Sequence, residues 1–178
     1  PWSVAGVEMT GGAAGHGPAR GAGAAAVLDV LRARGQTLAV AESLTGGLLA
    51  ATIVDVPGAS LAFRGGLVVY ATDLKATLAG VPPELLAAHG PVDPDVAAAL
   101  ARGARLRCAA DWGLSTTGVA GPDPQGDHPV GTVYLGLAGP DGVGTVRRLN
   151  LTGDRANIRR AAVAHALELL SETLSEAG

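Results

Sequence analysis

The stretch that decides the fold is residues 38–56, LAVAESLTGGLLAATIVDV. An apolar run stops at Glu42-Ser43-Leu44-Thr45-Gly46-Gly47, and a second apolar run starts at once. The first run is short and strand-like, and the second has the length of a short helix closed by the Pro57-Gly58 turn. A strand running into glycines and then a helix is the βα unit of an open α/β sheet, whose ligands bind at the carboxyl edge of the strands. Ser43 falls at that edge. Gly46 and Gly47 allow a sharp turn, and N–H groups of a first helical turn are unpaired within the helix. The spacing therefore predicts a hydroxyl nucleophile beside main-chain donors, as acyl transfer requires. The structural alternative is that Ser43 or Thr45 only caps the helix, and Glu42 is expected to hydrogen-bond the loop and not to act directly.

Outward from this unit, helix and strand signals alternate. A helix is expected from about 20 to 34, ended by Gly35, and a strand over 37–42. GGLVVY, 65–70, reads as a strand, followed by a short helix that Thr72 can cap. Pro82 opens a further turn of helix toward His89-Gly90, and Asp93 with Pro94 marks a strong helix start. WGLSTTGV, 112–119, reads as a strand, and 120–131 as a Gly/Pro-rich loop. TVYLGLAG and VGTVRRLNL flank the turn Pro140-Asp141-Gly142 as a hairpin, and Asp154 caps a last helix to about 176. This order implies an α/β sandwich with a mixed sheet and helices on both faces. Residues 1–19 read as a flexible tail and 20–178 as one domain.

Composition narrows the functions. The formal net charge is −3, so no global basic field points to nucleic acid. No apolar run approaches the roughly 20 residues of a membrane span, and the N-terminus lacks a secretory pattern, so a cytoplasmic site is expected. The single cysteine, Cys108, excludes an intrachain disulfide, reads as a small buried hydrophobe, and provides no metal cluster. No metal or other cofactor is expected. Of thirteen basic side chains twelve are Arg, and Lys75 is the sole Lys. Arg keeps its proton under ordinary conditions, whereas a desolvated Lys can lose it.

Lys75 lies five residues after Tyr70, so a lysine base for Ser43 is possible, with Tyr70 relaying the proton or holding the ammonium. Taken singly, Tyr70 is equally a packing residue at a strand end and Lys75 a solvated helix charge. Thr116, Thr117, Gly118 and Gly121, where the strand at 112–119 runs into its loop, can cradle a phosphate or ribose, or merely turn a corner. Arg155, in the first turn of the last helix, opposes the helix dipole and so suits an anionic ligand. Arg159 and Arg160 read as a solvated face. His128 reads as loop structure, and His89 and His165 as helix residues.

Together AESLTGG, DVPGAS, FRGGLVVYATDLKATLAGV, HGPV, TTGVAGP, HPVGTVY and GDRANIRRAAVAHAL resemble, in order and spacing, the CinA C-terminal domain family over about 22–172. The resemblance implies a three-layer α/β/α sandwich and a metal-independent serine amidohydrolase. Family members of known activity convert nicotinamide mononucleotide to nicotinate mononucleotide and ammonia in pyridine nucleotide recycling. It carries the nucleophile onto Ser43 and its catalytic partners onto Tyr70 and Lys75. Substrate contacts are expected from Thr45, Gly46, Gly47, Thr117, Gly118, Gly121 and Arg155. The family often has Cys between the Ser and Thr of the first motif; here it is Leu44, so no thiol is required there. A homodimer is expected. A non-catalytic nucleotide-binding module and a Ser-Lys hydrolase of another small amide remain the alternatives.

Overall fold

A computed structural model describes residues 22–176. The tail read over 1–19 lies outside the described residues. Among these residues six α-helices and five strands follow in the order α1 (Ala22–Arg34), β1 (Leu38–Glu42), α2 (Leu48–Val54), β2 (Phe63–Val68), α3 (Thr72–Thr77), α4 (Pro83–His89), α5 (Pro94–Arg107), β3 (Trp112–Gly118), β4 (Thr132–Ala138), β5 (Gly144–Asn150) and α6 (Arg155–Glu176). The strands form one sheet in the order β2-β1-β3-β4-β5. β1 pairs in parallel with β2 and with β3, while β4 runs antiparallel to both β3 and β5. The mixed sheet and the helices on both faces make the three-layer α/β/α sandwich that was expected.

Strand alternation distributes the core between the two faces. Leu38 and Val40 of β1 join Leu49 and Ile53 of α2 and the apolar side of α1 and α6 on one face. Ala39 and Ala41 pack with Val96, Leu100 and Ala104 of α5 on the other. β1 is buried along its whole length, as a central strand covered on both sides must be. The scarcity of aromatics has a direct counterpart here, because α5 lies almost on the sheet. A Cβ at Gly113 of β3 would stand 2.0 Å from the Ala101 carbonyl oxygen, and one at Gly136 of β4 would stand 2.2 Å from that of Ala97. Gly136→Ala would lift α5 from the sheet and is expected to lower stability by about 2–3 kcal/mol. The check is a reduced urea midpoint with an unchanged slope.

Sheet order places the site. From β1 the chain passes through α2 to β2 on one side, whereas β3 joins β1 on the other. The carboxyl ends of β1 and β3 therefore flank a topological switch point, where ligands of open α/β sheets bind. Helix starts differ from expectation in two places. The N-cap of α3 is Ala71, with no side-chain cap, so Thr72 is helical rather than capping. α2 is capped by neither Ser43 nor Thr45: its N-cap is Gly47 in the left-handed region, φ 97°. Asp93 caps α5 as expected, accepting from the N–H of Asp95 at 2.8 Å and Val96 at 3.4 Å. Cys108 is half-buried rather than fully enclosed.

Candidate functional site

β1 ends at Glu42, and the next residue, Ser43, is 8% exposed. Ser43 stays aligned with the sheet because its N–H still donates to the Thr116 carbonyl at 3.0 Å. Glu42 is wholly buried, and its carboxylate accepts from the N–H groups of Gly47, Leu49 and Ala50 at 2.8–3.0 Å. A buried carboxylate taking three main-chain donors at a helix start is stabilised by hydrogen bonding and by the dipole. Glu42 thus bonds the loop as expected of it, and supplies the cap in place of either hydroxyl.

This capping changes which donors are free. The Gly47 N–H goes to Glu42, and the Gly46 N–H donates to the Ser43 carbonyl at 3.0 Å. Neither glycine N–H is available to an oxyanion, contrary to the reading of the sequence. Left-handed φ values of 56° and 97° show the two glycines acting as the turn itself. Among the described residues the N–H groups of Leu44 and Thr45 have no acceptor. Thr45 is fully buried, its hydroxyl shared with that of Thr116 at 2.8 Å, so its side chain is not exposed to a substrate.

β2 ends at Val68, two residues before the limit expected from sequence. Val69 and Tyr70 continue past the ladder, which leaves their carbonyls for Lys75. The Lys75 Nζ lies 2.8 Å from the Val69 oxygen, 3.3 Å from the Tyr70 oxygen and 3.1 Å from the Ser43 Oγ. Lys75 is 1% exposed and makes no ion pair among the described residues. Burial without a compensating anion lowers its pKa from 10.5 to about 8. The three contacts take the three N–H donors of the ammonium; once it has lost a proton, two N–H bonds keep the two carbonyls and the lone pair is left to accept from the serine O–H.

The Tyr70 phenol is turned elsewhere. It is 58% exposed overall, and its hydroxyl accepts from the Arg155 Nη2 at 2.8 Å. It is the main-chain carbonyl of Tyr70, not the phenol, that holds the amine. Arg155 also donates from Nη1 to the Gly121 carbonyl, and with five N–H donors it retains others for a ligand. The cavity at this edge has a volume of about 320 Å³ and is lined by Ser43, Lys75, Tyr70, Thr117, Gly121 and Arg155, among others. Leu44 and Gly118 also line it, whereas Thr45, Gly46 and Gly47 do not. The Thr117 hydroxyl donates to the Pro91 carbonyl at 2.6 Å, leaving its lone pairs free to accept. His128 stacks edge-on against Tyr134 as a loop residue.

Arg159 is the residue that sequence reasoning misplaced. Instead of facing solvent, it donates from Nε to the Leu44 carbonyl at 3.0 Å and from Nη2 to the Thr45 carbonyl at 2.7 Å. Its spacing held the signal, because a residue four after Arg155 shares that helix face. Arg160 is exposed, as expected. Among the described residues no helix is long and apolar enough to cross a membrane.

Comparison with known proteins agrees with this architecture. Residues 21–174 match the model of the CinA C-terminal domain. A CinA-like protein of Frankia casuarinae is 58% identical over 149 residues, covering 84% of this chain and 34% of that protein. A CinA-like protein of Myxococcus xanthus is 47% identical over 152 residues, covering 85% and 36%. The chain therefore spans about a third of the length of these curated relatives. Among solved structures, the competence/damage inducible protein CihA of Agrobacterium tumefaciens superposes with a TM-score of 0.84 at 32% identity, covering 88% of this chain and 95% of that one. The competence damage-inducible protein A (ComA) of Klebsiella pneumoniae gives 0.85 at 31% identity, covering 88% and 97%.

Proposed function

Because the chain belongs to the CinA C-terminal domain family, we propose that it is a serine amidohydrolase that converts nicotinamide mononucleotide to nicotinate mononucleotide and ammonia. The observation that carries this reading is the buried amine of Lys75, 3.1 Å from the Ser43 Oγ at the base of an open cavity. A hydroxyl is a weak nucleophile until a base takes its proton, and an amine with a lowered pKa is such a base.

In this mechanism Ser43 Oγ attacks the carboxamide carbon as its proton passes to Lys75 Nζ. The developing oxyanion is met by free main-chain N–H groups of the turn, foremost that of Leu44, which lines the cavity. An N–H directly after the nucleophile is a common oxyanion donor where a strand turns into a helix. The carbon–nitrogen bond then breaks, and Lys75 returns its proton to the departing nitrogen, which leaves as ammonia. Water adds to the acyl ester with its proton passing to Lys75, and collapse restores Ser43 and releases the carboxylate. The cavity is within the range of small-molecule sites, about 300–1,000 Å³. Arg155, at the start of α6 and facing the same cavity, supports recognition of the phosphate.

The test is incubation of the purified protein with nicotinamide mononucleotide, following ammonia and nicotinate mononucleotide together. Equal amounts of both products are expected. Tight binding of the nucleotide without ammonia would refute hydrolysis and favour a nucleotide-binding module. Faster ammonia release from a simple amide lacking the phosphate would refute the assigned substrate.

A further inference from the structure

The unused observation at this site is Arg159. Its guanidinium is committed to two consecutive carbonyls of the Ser43 turn, although it belongs to α6, more than a hundred residues away in the chain. A main-chain carbonyl is not an anion, so charge pairing does not explain the contact. Its consequence follows from peptide geometry, in which C=O and N–H of one trans unit point in opposite directions.

The Thr45 carbonyl faces Arg159, so the Gly46 N–H on the same plane faces away from α6. It donates to the Ser43 carbonyl at 3.0 Å. That carbonyl in turn shares a plane with the Leu44 N–H, which has no acceptor among the described residues and belongs to a residue lining the cavity. The guanidinium, two peptide planes and one free donor thus form a continuous series. Each hydrogen bond in such a series polarises the next. At the other end of the turn, Glu42 holds the donors of Gly47, Leu49 and Ala50. A carboxylate therefore takes the turn's surplus donors, while the guanidinium takes the Leu44 carbonyl, which has no other donor among the described residues, and joins the Leu48 N–H (3.1 Å) on the Thr45 carbonyl.

We infer that Arg159 is a positioning residue that aims and polarises the Leu44 N–H as the oxyanion donor of the Ser43 site. The inference rests on Ser43 being the nucleophile. It does not depend on which amide is cleaved. Arg159 does not line the cavity, so its effect falls on the transition state and not on substrate binding.

Two variants and two readouts test it. Arg159→Ala removes both contacts; Arg159→Lys keeps a charge but offers one point donor in place of the fork. With nicotinamide mononucleotide, Arg159→Ala is expected to lower kcat by about 30–100-fold with KM within about threefold. Arg159→Lys is expected to fall between it and wild type. Added ethylguanidinium is expected to restore part of the lost kcat in Arg159→Ala. The second readout needs no amide substrate: phosphonylation of Ser43 by a small fluorophosphonate, followed by intact mass, with Ser43→Ala as the blank. Its rate is expected to fall about 30-fold or more in Arg159→Ala, because the phosphoryl oxygen occupies the oxyanion position. The pH midpoint of labelling, set by Lys75, is expected to stay where it is in wild type. Labelling within about twofold of wild type in either folded variant would overturn the inference. So would a loss accompanied by a shifted midpoint and no response to ethylguanidinium, which marks general disruption of the turn. If Arg159→Ala does not fold, an Arg159→Lys enzyme with wild-type labelling and kcat overturns it equally. A wild-type protein that labels at Ser43 yet releases no ammonia refutes the amidohydrolase reading alone, and Arg159 is then judged on labelling.

Discussion

Ser43→Ala is expected to lower ammonia release from nicotinamide mononucleotide by about 10⁴-fold or more in kcat, because covalent catalysis has no substitute nucleophile. Stability should barely change. Among the described residues the hydroxyl's one side-chain hydrogen bond is with the Lys75 amine, which keeps the Val69 and Tyr70 carbonyls at 2.8 and 3.3 Å. The lost hydrogen bond is worth about 1 kcal/mol, set against the removal of one partially desolvated hydroxyl. The measurement is steady-state ammonia release beside a urea denaturation curve of the same preparation. Turnover within about 100-fold of wild type in a folded variant rules out attack by Ser43. A dead enzyme with a much lower urea midpoint would instead show that the hydroxyl matters to the turn and not to the chemistry.

Lys75→Arg is expected to lower kcat by about 10³-fold or more, since Arg retains positive charge but does not release its proton near neutrality. The slot is 1% exposed and the Arg fork is larger, so Lys75→Met provides a neutral variant of similar length. The wild-type pH profile gives the sign. With the pKa lowered to about 8, the free amine is a minor species at pH 7. kcat/KM should therefore rise about tenfold per unit at low pH and level off above a midpoint near 8. Neither variant should show that rise. Stability follows the same proton. Below about pH 8 the amine is charged in both folded and unfolded chains, and the folded chain bears the full desolvation cost. Between about 8 and 10.5 the unfolded chain binds more protons, so folded stability increases with pH, by about 3 kcal/mol across the window. Urea midpoints of wild type and Lys75→Met, compared from pH 7 to pH 9, should converge or cross as pH rises. A flat activity profile through this range would remove Lys75 from the base role.

Much of this was legible from local signals. Alternating apolar runs, the Asp93-Pro94 start, the Gly-rich breaks and the Pro140-Asp141-Gly142 turn each depend on a few neighbouring residues, and all mark elements that the structure contains. The uniqueness of Lys75 in an Arg-rich chain is likewise a property of the sequence alone. The errors share one cause. That Glu42 bonds the loop was expected, but not that it reaches past both hydroxyls to three N–H groups and leaves neither hydroxyl as the cap of α2. Gly46 and Gly47 were read as donors to a ligand, but their N–H groups were claimed within the turn. Arg159 shares the helix face of Arg155, but that the carbonyls of Leu44 and Thr45 lie against that face is decided by packing and not by period.

What the chain alone determines is the order of its elements and which residue types stand at the sheet's carboxyl edge, because turn chemistry and apolar period act over a few bonds. Which polar group meets which is a different matter. The strand order β2-β1-β3 brings residues 43, 69, 70 and 75 to one point. Only that packing desolvates the Lys75 amine, turns the Tyr70 phenol to Arg155, and leaves the Leu44 N–H without an acceptor among the described residues. Hydrogen-bond pairing and desolvation depend on distances between segments far apart in the chain, and those distances exist only once the sheet has closed its register.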